Sequence, residues 1–302
     1  MSSKAAATAR HEEPGARIDA APSERTNVEP QPLFVWERSR RRRPIRFKEL
    51  WEYRELLYFL VWRDVKVRYK QTALGVLWVV LQPLLTMAVF SLFFGRLAGI
   101  PSDGIAYPLF AFAGLLPWQL FSNGLTSAGN SLVMNSALIT KVYFPRTFIP
   151  LSAVLVGLVD FVLSLGVMAA LLLAFGVAPT ARLLALPVFV ALTVVTAFAL
   201  GLWLSALCVR FRDVQFVIPF LAQFWLFVTP IAYPSSLVPD QWRPLYALNP
   251  MVGVVDGFRW ALLGQSAPLD ATVVISAAVA ALLLAGGVLF FKRLERTFAD
   301  VV

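Results

Sequence analysis

Long apolar stretches, separated by short polar segments, fill most of the chain after residue 72. Each stretch approaches the roughly 20 residues that a helix needs to cross the hydrocarbon core of a bilayer. The stretches are continuous rather than alternating, which favours helices over the strands of a barrel. The pattern therefore predicts an all-α membrane protein with six transmembrane helices. They are expected at residues 72–95, 107–128, 148–175, 183–207, 214–233 and 270–291.

Proline residues are expected to kink or bend three of these stretches. The second stretch contains Pro108 and Pro117, and the fifth contains Pro219 and Pro230. A membrane helix tolerates proline where neighbouring groups satisfy the freed carbonyl, so we interpret these positions as kinks. Pro83, near the middle of the first stretch, predicts a bend there.

Residues 48–70 mix apolar and charged positions. Their apolar residues fall on one helical face and their charged residues largely on another, a pattern too polar to span but typical of a helix in the membrane interface. We assign residues 46–71 to this interface helix; packing against a partner protein is the alternative. The apolar face holds Leu50, Tyr53, Leu57, Leu60 and Val61, and the charged face holds Glu52, Glu55, Arg63, Lys66 and Lys70.

Residues 234–269, before the last stretch, combine aromatic side chains with a helix-start signal. Asn249 followed by Pro250 is typical of a helix start, with asparagine as the N-cap and proline at the first helical position. We expect two short helices that dip into the outer leaflet, the first kept short or bent by Pro244. A folded external cap is the alternative. The expected helices cover residues 237–247 and 250–263.

Two rows of small residues at four-residue spacing predict tight helix packing. Such rows let helix backbones approach closely, either inside a bundle or between two subunits. The rows are Ala197, Gly201 and Ser205 in the fourth stretch, and Ala277, Ala281 and Ala285 in the sixth.

Composition agrees with a membrane protein. Of the 302 residues, 58% are hydrophobic and 15% are charged, whereas soluble domains contain about 45–50% and about 25%. The net charge of +9 is unevenly placed along the chain. Four of the 27 lysine and arginine residues lie on one side of a six-span arrangement, and this imbalance places both termini in the cytoplasm. The four are Arg96, Arg182, Arg243 and Arg259.

The polar tail at residues 1–45 lacks the apolar segment of a signal peptide, and we expect it to be a disordered cytosolic segment. Its arginine-rich run at residues 38–43 is compatible with a patch that binds nucleic acid. We prefer a cluster that sets topology and contacts anionic lipid, so membrane lipids rather than nucleic acid are the expected partners. Residues 292–302 are expected to form a cytosolic C-terminal tail.

Motifs for catalysis are missing from the sequence. No lysine follows a glycine, so the phosphate-binding loop that hydrolyses ATP is absent. The single cysteine, Cys208, and the single histidine, His11, exclude a disulfide framework and a cysteine or histidine metal cluster. We therefore expect neither catalytic residues nor a metal or cofactor in this chain.

Asp160, inside the third stretch, is a candidate functional group because an acid in the membrane is costly. A packing contact is the alternative, and the lack of a richer set of intramembrane charges weighs against a proton-driven carrier. Aromatic side chains in or near the fourth and fifth stretches are candidates for lining a channel in which a sugar polymer slides; ordinary packing is their alternative. They are Phe198, Trp203, Phe224, Trp225, Phe227 and Tyr233.

Several segments, in order along the chain, resemble the ABC-2 type permease family. Together they cover about residues 47–291 and leave the tail at 1–45 outside the resemblance. The likeness is greatest to permease subunits that export lipid-linked polysaccharide, such as O-antigen, teichoic acid or capsule. The segments are Arg63–Trp78 with Gln82 and Pro83, Gly114–Trp118, Asn135–Pro150, Arg210–Asp213 and Leu248–Pro250.

This resemblance implies a homodimer of six-span subunits in the bacterial inner membrane, paired with two copies of a separate ATPase that binds ATP and Mg²⁺. Residues 72–291 are then the permease domain. Within it, the 129–147 loop resembles the coupling helix that docks on the ATPase, and residues 234–269 resemble external gate helices. The coupling candidates are Asn135, Lys141, Tyr143, Phe144, Pro145 and Arg146.

Basic residues of the interface helix are candidates for holding the lipid pyrophosphate of the substrate by charge-assisted hydrogen bonds. Setting topology and contacting lipid is the alternative role for each of them. A drug or another lipid is an alternative substrate for the same organisation, and an ion-coupled carrier or a membrane-embedded enzyme is a different class. The candidates are Arg54, Arg63, Lys66, Arg68 and Lys70.

Overall fold

The computed structural model describes residues 51, 53–70, 73–141, 144–264, 271–295 and 298, with backbone alone at 73–76 and 140–141. Across these residues the chain is helical and contains no strand. The expectations for the 1–45 tail, for Tyr143 and for the side chain of Lys141 lie outside the described part.

Ten α-helices follow one another along the described chain. Helix α2 continues as a π-helix at Ser91–Leu97, and three 3₁₀ turns lie at Ala181–Ala185, Ser235–Leu237 and Asp240–Trp242. The helices are α1 (Arg54–Lys70), α2 (Ala73–Phe90), α3 (Tyr107–Met134), α4 (Ser136–Lys141), α5 (Phe148–Ala174), α6 (Leu186–Arg210), α7 (Val214–Val228), α8 (Arg243–Tyr246), α9 (Pro250–Leu263) and α10 (Ala271–Leu294).

Every stretch expected to span the membrane coincides with a helix. Within the described residues, four helical segments are long and apolar enough to cross a bilayer, which confirms the all-α membrane class. Helix α3 has 28 residues but is more polar, and α7 is apolar but has 15 residues. The count of six spans therefore stays a prediction. The four segments are Leu77–Leu97, Phe148–Ala174, Ala181–Arg210 and Ala271–Leu294.

Of the five prolines that were expected at kinks or bends, two lie at helix ends. Pro108 occupies the first turn of α3, where its missing N–H costs nothing. Helix α7 ends at Val228 because Thr229, which precedes Pro230, takes an extended conformation. Pro83, Pro117 and Pro219 lie inside helices, as expected. The fifth expected span is consequently five residues shorter than the sequence pattern suggested.

Helix α3 forms the centre of the bundle and packs against α5, α6, α7 and α9. Small residues allow its close approach to α6: a Cβ on Gly201 would lie 2.6 Å from the Cβ of Ala128. The row that contains Gly201 is buried, which confirms the packing predicted for it. In the second row, Ala281 and Ala285 are exposed within one subunit. Helix α10 packs through a different face that contains Ser276, Ala280 and Gly287.

A second apolar cluster lies at the α4 end of the bundle, and we call it the α4-end cluster. It joins α1, α4, the start of α5, the end of α6 and the C-terminal residues. The short helices of this end are therefore attached to the bundle by burial of side chains. The cluster contains Leu60, Leu132, Ile139, Phe144, Phe148, Ile149, Leu202, Ala206, Val209, Phe291 and Phe298.

Candidate functional site

Asn135 joins α1, α3 and α4. It caps the C-terminus of α3, and its Nδ2 donates to the carbonyl oxygen of Ser131 at 2.9 Å. Its Oδ1 accepts a hydrogen bond of 3.0 Å from Nη2 of Arg63 on α1. Arg63 is held in place by Asp64, whose Oδ1 lies 2.8 Å from its Nε. Asn135, one of the coupling candidates, thus hydrogen-bonds directly to the interface helix.

The segment after α4 returns to the bundle through Phe144 and Arg146. Phe144 is buried in the α4-end cluster. Arg146 donates from Nη1 to the backbone oxygen of Glu295, 2.8 Å away, so the chain's C-terminal end is tied to this segment. Burial raises the pKa of Glu295, and the nearby Arg146 partly opposes that shift. These two coupling candidates therefore hold α4 in place, whereas Pro145 precedes the turn into α5.

The other end of α1 is bound to Asp160 of α5. Nη1 of Arg68 lies 2.6 Å from Oδ2 of Asp160, and the Tyr69 hydroxyl donates to Oδ1. Burial and this hydrogen bond raise the pKa of Tyr69, so the phenol keeps the proton that it donates. Asp160 is thus not an isolated intramembrane acid but the anchor of the interface helix.

The contacts of α1 place it along the first half of α5. The Tyr53 ring lies 6.4 Å from that of Phe148, at the beginning of α5. Arg68 and Tyr69 reach Asp160, about 18 Å further along the α5 axis at 1.5 Å per residue. Helix α1 therefore runs obliquely along α5 and connects the α4 end of the bundle to its middle.

Two of the five basic candidates already have acidic partners. Arg63 pairs with Asp64, and Arg68 pairs with Asp160. The guanidinium of Arg54 lies 4.9 Å from the centre of the Trp51 ring, whereas Lys66 and Lys70 are exposed. Contact with a lipid phosphate stays a prediction for all five. Arg54, Lys66 and Lys70 are the three that have no acidic partner in the described part of the chain.

The six aromatic candidates fall into three pairs. Phe198 is partly buried, and Trp203 stacks on Phe290 with ring centres 4.7 Å apart while its Nε1 donates to Leu283. Phe224 and Phe227, on α7, are 61% and 56% exposed. The other two, Trp225 of α7 and Tyr233, bond to side chains of the segment before α9. Trp225 donates to the Asn249 side chain at 3.0 Å, and the Tyr233 and Tyr246 hydroxyls lie 2.9 Å apart.

The 234–269 segment contains the expected second helix at Pro250–Leu263, and Asn249 caps it through the Met251 N–H. The first expected helix is reduced to two 3₁₀ turns and the four-residue α8, as Pro244 suggested. A capped, well-packed α9 is compatible with both the re-entrant and the external-cap interpretation.

Arg259, which is buried, and Asp256, which is partly buried, lie on α9 as a charged site that the sequence interpretation missed. Arg259 is 2% exposed; its guanidinium carbon lies 3.5 Å from the Phe110 ring centre, and its Nη2 donates to Ile231 at 2.9 Å. Asp256 accepts a hydrogen bond from the Ser235 hydroxyl at 2.7 Å. The signal was available, because two opposite charges three residues apart inside an apolar helix share one face.

A cavity of about 270 Å³ lies between the end of α1, α2, α3 and α5. Asp160 with its two α1 partners forms one wall. The remaining polar lining includes Gln82, Gln119, Asn123 and Ser164. Polar side chains from four helices thus converge on this cavity.

The architecture defines an integral, multi-pass, all-helical membrane protein without recognisable catalytic machinery in its described residues. Comparison with known proteins gives the family: the ABC-2 type transporter model matches residues 55–263. The chain belongs to this family of transporters.

Curated relatives span nearly the same length. The chain is 36% identical over 259 residues to the O-antigen export system permease protein RfbA of Myxococcus xanthus, covering 84% of this chain and 98% of that protein. It is 28% identical over 250 residues to the RfbA of Klebsiella pneumoniae, covering 82% and 95%. The polysialic acid transport protein KpsM of Escherichia coli is 24% identical over 202 residues, covering 67% and 78%.

Proposed function

We propose that this chain is the membrane-spanning subunit of an ATP-driven exporter of a lipid-linked polysaccharide of the O-antigen class. Two copies pair with two copies of a separate ATPase, which binds ATP and Mg²⁺, in the bacterial inner membrane with both termini in the cytoplasm. The names of the relatives, O-antigen export permease and polysialic acid transport protein, support this substrate class.

The observation that carries the proposal is the chain of polar contacts from α4 to α5. Asn135 binds α4 to α1 through Arg63, and Arg68 binds α1 to α5 through Asp160. A force on α4 therefore reaches the middle of a long apolar helix through side-chain contacts. A subunit that receives mechanical work from a partner needs this kind of connection, because packed elements move together when their contacts hold.

The α4 surface is the proposed contact with the ATPase. Lys141 and Tyr143 are its candidate docking residues, whereas Phe144, Pro145 and Arg146 join it to the subunit. When ATP binding closes the pair of ATPase subunits, α4 and α1 are displaced as one unit. The two copies of this chain then adjust a channel along the face that they share. Of the six aromatic candidates, Phe224 and Phe227 are the exposed ones, and they are proposed to reach that face.

Arg54, Lys66 and Lys70 are the proposed contacts for the lipid pyrophosphate, because Arg63 and Arg68 are already paired with carboxylates. An ammonium or guanidinium without a protein partner gains most from an anionic headgroup. Phosphate binding at Arg68 would compete with Asp160. This division refines the role of the basic helix: two arginines connect helices, and three basic residues face the lipid.

Export by the chain expressed with its ATPase subunit tests this function. We expect Arg63→Ala and Asn135→Ala each to lower surface polysaccharide per ATP hydrolysed about five- to tenfold, since each removes a hydrogen bond worth about 1 kcal/mol that transmits the motion. Glu55→Ala, at an exposed position of the same helix that has no proposed contact with the substrate, is the matched control for the hydrogen bond. Co-purification of the ATPase should survive all three substitutions.

Three results would contradict the proposal. The first is transport of substrate by the purified chain in liposomes without an ATPase. The second is failure of any ATPase subunit to co-purify with the chain. The third is normal surface polysaccharide in cells that lack the chain, accompanied by loss of resistance to a drug, which would assign a different cargo to the same architecture.

A further inference from the structure

The cavity between α1, α2, α3 and α5 contains three side-chain amides that have no hydrogen-bond partner among the described residues. They are Gln82 on α2 and Gln119 and Asn123 on α3; Gln119 is partly buried, whereas Gln82 and Asn123 are exposed at the open side of the cavity. Gln119 lies at the middle of the 28-residue α3, remote from both ends. An unsatisfied amide costs several kcal/mol in an apolar medium, so these groups need water or a polar ligand.

The charge of the cavity wall selects a neutral ligand. Asp160 is the one carboxylate of the lining, and Arg68 neutralises it at 2.6 Å. The remaining polar groups are amides and hydroxyls. A phosphate would meet no unpaired cation there. A ligand rich in hydroxyl groups fits, because each amide both donates and accepts and each hydroxyl does the same.

Trp78 provides an apolar surface on the same wall. Its side chain is 58% exposed and lines the cavity beside the amides. A flat indole beside convergent hydrogen-bonding groups suits a pyranose ring, which has apolar C–H faces and polar edges. Ligand sites typically combine aromatic walls with a few polar groups that fix orientation.

The volume corresponds to one sugar unit. A cavity of about 150 Å³ in another protein binds benzene, and a hexose has about twice as many non-hydrogen atoms. The observed 270 Å³ therefore accommodates a single hexose-sized group.

We propose that this cavity is a binding site for one neutral sugar unit, held by Gln82, Gln119 and Asn123 with its ring against Trp78. Its identification with a unit of the exported polymer rests on the proposed function. Arg68 and Tyr69 of α1 contact Asp160 at the cavity wall. Any displacement of α1 therefore changes the shape of the site, which connects sugar binding to the same helix that connects α4 to α5.

Saturation-transfer difference NMR tests the site on the full chain in lipid nanodiscs, which avoid detergents with sugar headgroups. The probes are free mannose, galactose and rhamnose; inorganic pyrophosphate, which has no C–H proton for this experiment to detect, is followed for comparison by broadening of its phosphorus NMR signal. We expect the sugars to give signals with millimolar affinity. Gln119→Leu and Asn123→Leu should each raise the Kd about five- to tenfold, the value of a lost hydrogen bond to a neutral partner. Thr126→Val, on α3 outside the lining, should leave the Kd unchanged.

The leucine variants are expected to keep or raise the melting temperature, because they remove an unpaired amide. If one fails to fold, Asn123→Asp replaces it, with the same shape and fewer donors. Sugar signals that are absent, or unchanged in the variants, would overturn the proposal, as would binding of pyrophosphate alone. The assay contains no ATPase and no ATP. A chain that binds sugar but does not export polysaccharide would thus reject the proposed function and leave this site standing.

Discussion

Nη1 of Arg68 lies 2.6 Å from Oδ2 of Asp160, which is 92 residues further along the chain. Asp160 is mostly buried, with 14% of its side chain exposed, whereas Arg68 is 41% exposed. The contact thus joins the end of a charged surface helix to the middle of an apolar one. Asp160 is an acid that would be costly to leave unpaired in the membrane, and through this contact it holds the end of α1 in place.

We expect Arg68→Leu to lower the free energy of unfolding by about 1–3 kcal/mol, because it leaves the buried carboxylate of Asp160 without its cation. In an Asp160→Asn background the same substitution should cost about 1 kcal/mol less. Denaturant unfolding of the four proteins in detergent measures this difference. Lys66→Leu, exposed on the same helix, should change the unfolding free energy by less than about 0.5 kcal/mol. An equal cost in both backgrounds would show that the pair is not coupled.

Arg259 cannot be replaced by lysine without loss. Its planar guanidinium stacks on Phe110 and donates to the carbonyl oxygens of residues 110 and 231 together, which a single ammonium cannot reproduce. We expect Arg259→Lys to cost about 2 kcal/mol of stability, measured as a lower melting temperature. Arg243→Lys is the matched control, because its ion pair with Asp240 is exposed and should contribute at most about 1 kcal/mol. Similar losses from the two substitutions would argue against this account.

Gly201→Ala tests the close contact between α3 and α6. The added Cβ would lie 2.6 Å from the Cβ of Ala128, an atom fixed to the backbone, so the helices must separate. We expect a loss of about 1–3 kcal/mol from this overpacking. Gly166→Ala on α5, where the new Cβ meets no atom within 4 Å, should be neutral or add up to about 1 kcal/mol. Thermal unfolding of the two variants side by side should therefore show opposite or clearly unequal shifts.

Glu295→Gln tests the buried carboxyl beside Arg146. Burial raises the pKa of Glu295 in the folded protein, so a rise in pH above about 4 ionises the unfolded chain first and lowers stability. We expect the glutamine variant to melt at a higher temperature than the wild type at pH 7. This gain should shrink as the pH falls toward about 4.

The Arg146 hydrogen bond should survive in this variant, because it ends on the backbone oxygen of residue 295. Asp240→Asn, which removes an exposed carboxylate, should change the melting temperature little at pH 7. A glutamine variant that is less stable than the wild type at pH 7 would contradict a raised pKa of Glu295.

The hydrophobic pattern was sufficient to predict the helices. The local sequence Asn249–Pro250 was sufficient to predict the start of α9. Each apolar stretch coincides with a helix, apart from residues 229–233, and the cap formed by Asn249 follows from local chemistry that needs no distant partner. The boundary at Thr229 was misjudged, although the rule that a residue before proline avoids helix was available. Local conformational preferences act over a few residues, so they are visible in the chain as written.

Candidate residues were harder to interpret because a side chain's role depends on what lies opposite it. Trp203 and Phe224 are equivalent as aromatic residues in apolar stretches. Packing places Trp203 on Phe290 and leaves Phe224 exposed. Arg68 and Lys70 are equally basic, yet Asp160 from another helix pairs with Arg68. Such differences arise from contacts between distant segments, and no local pattern encodes them.

Membrane class, the helices and the absence of an ATP-binding loop follow from composition and periodicity, because the bilayer imposes length and apolarity on each helix separately. The connection from Asn135 through Arg63 and Arg68 to Asp160, and the cavity with its unpaired amides, depend on how the helices are packed. They join residues up to 92 positions apart, so they exist only once the bundle has formed.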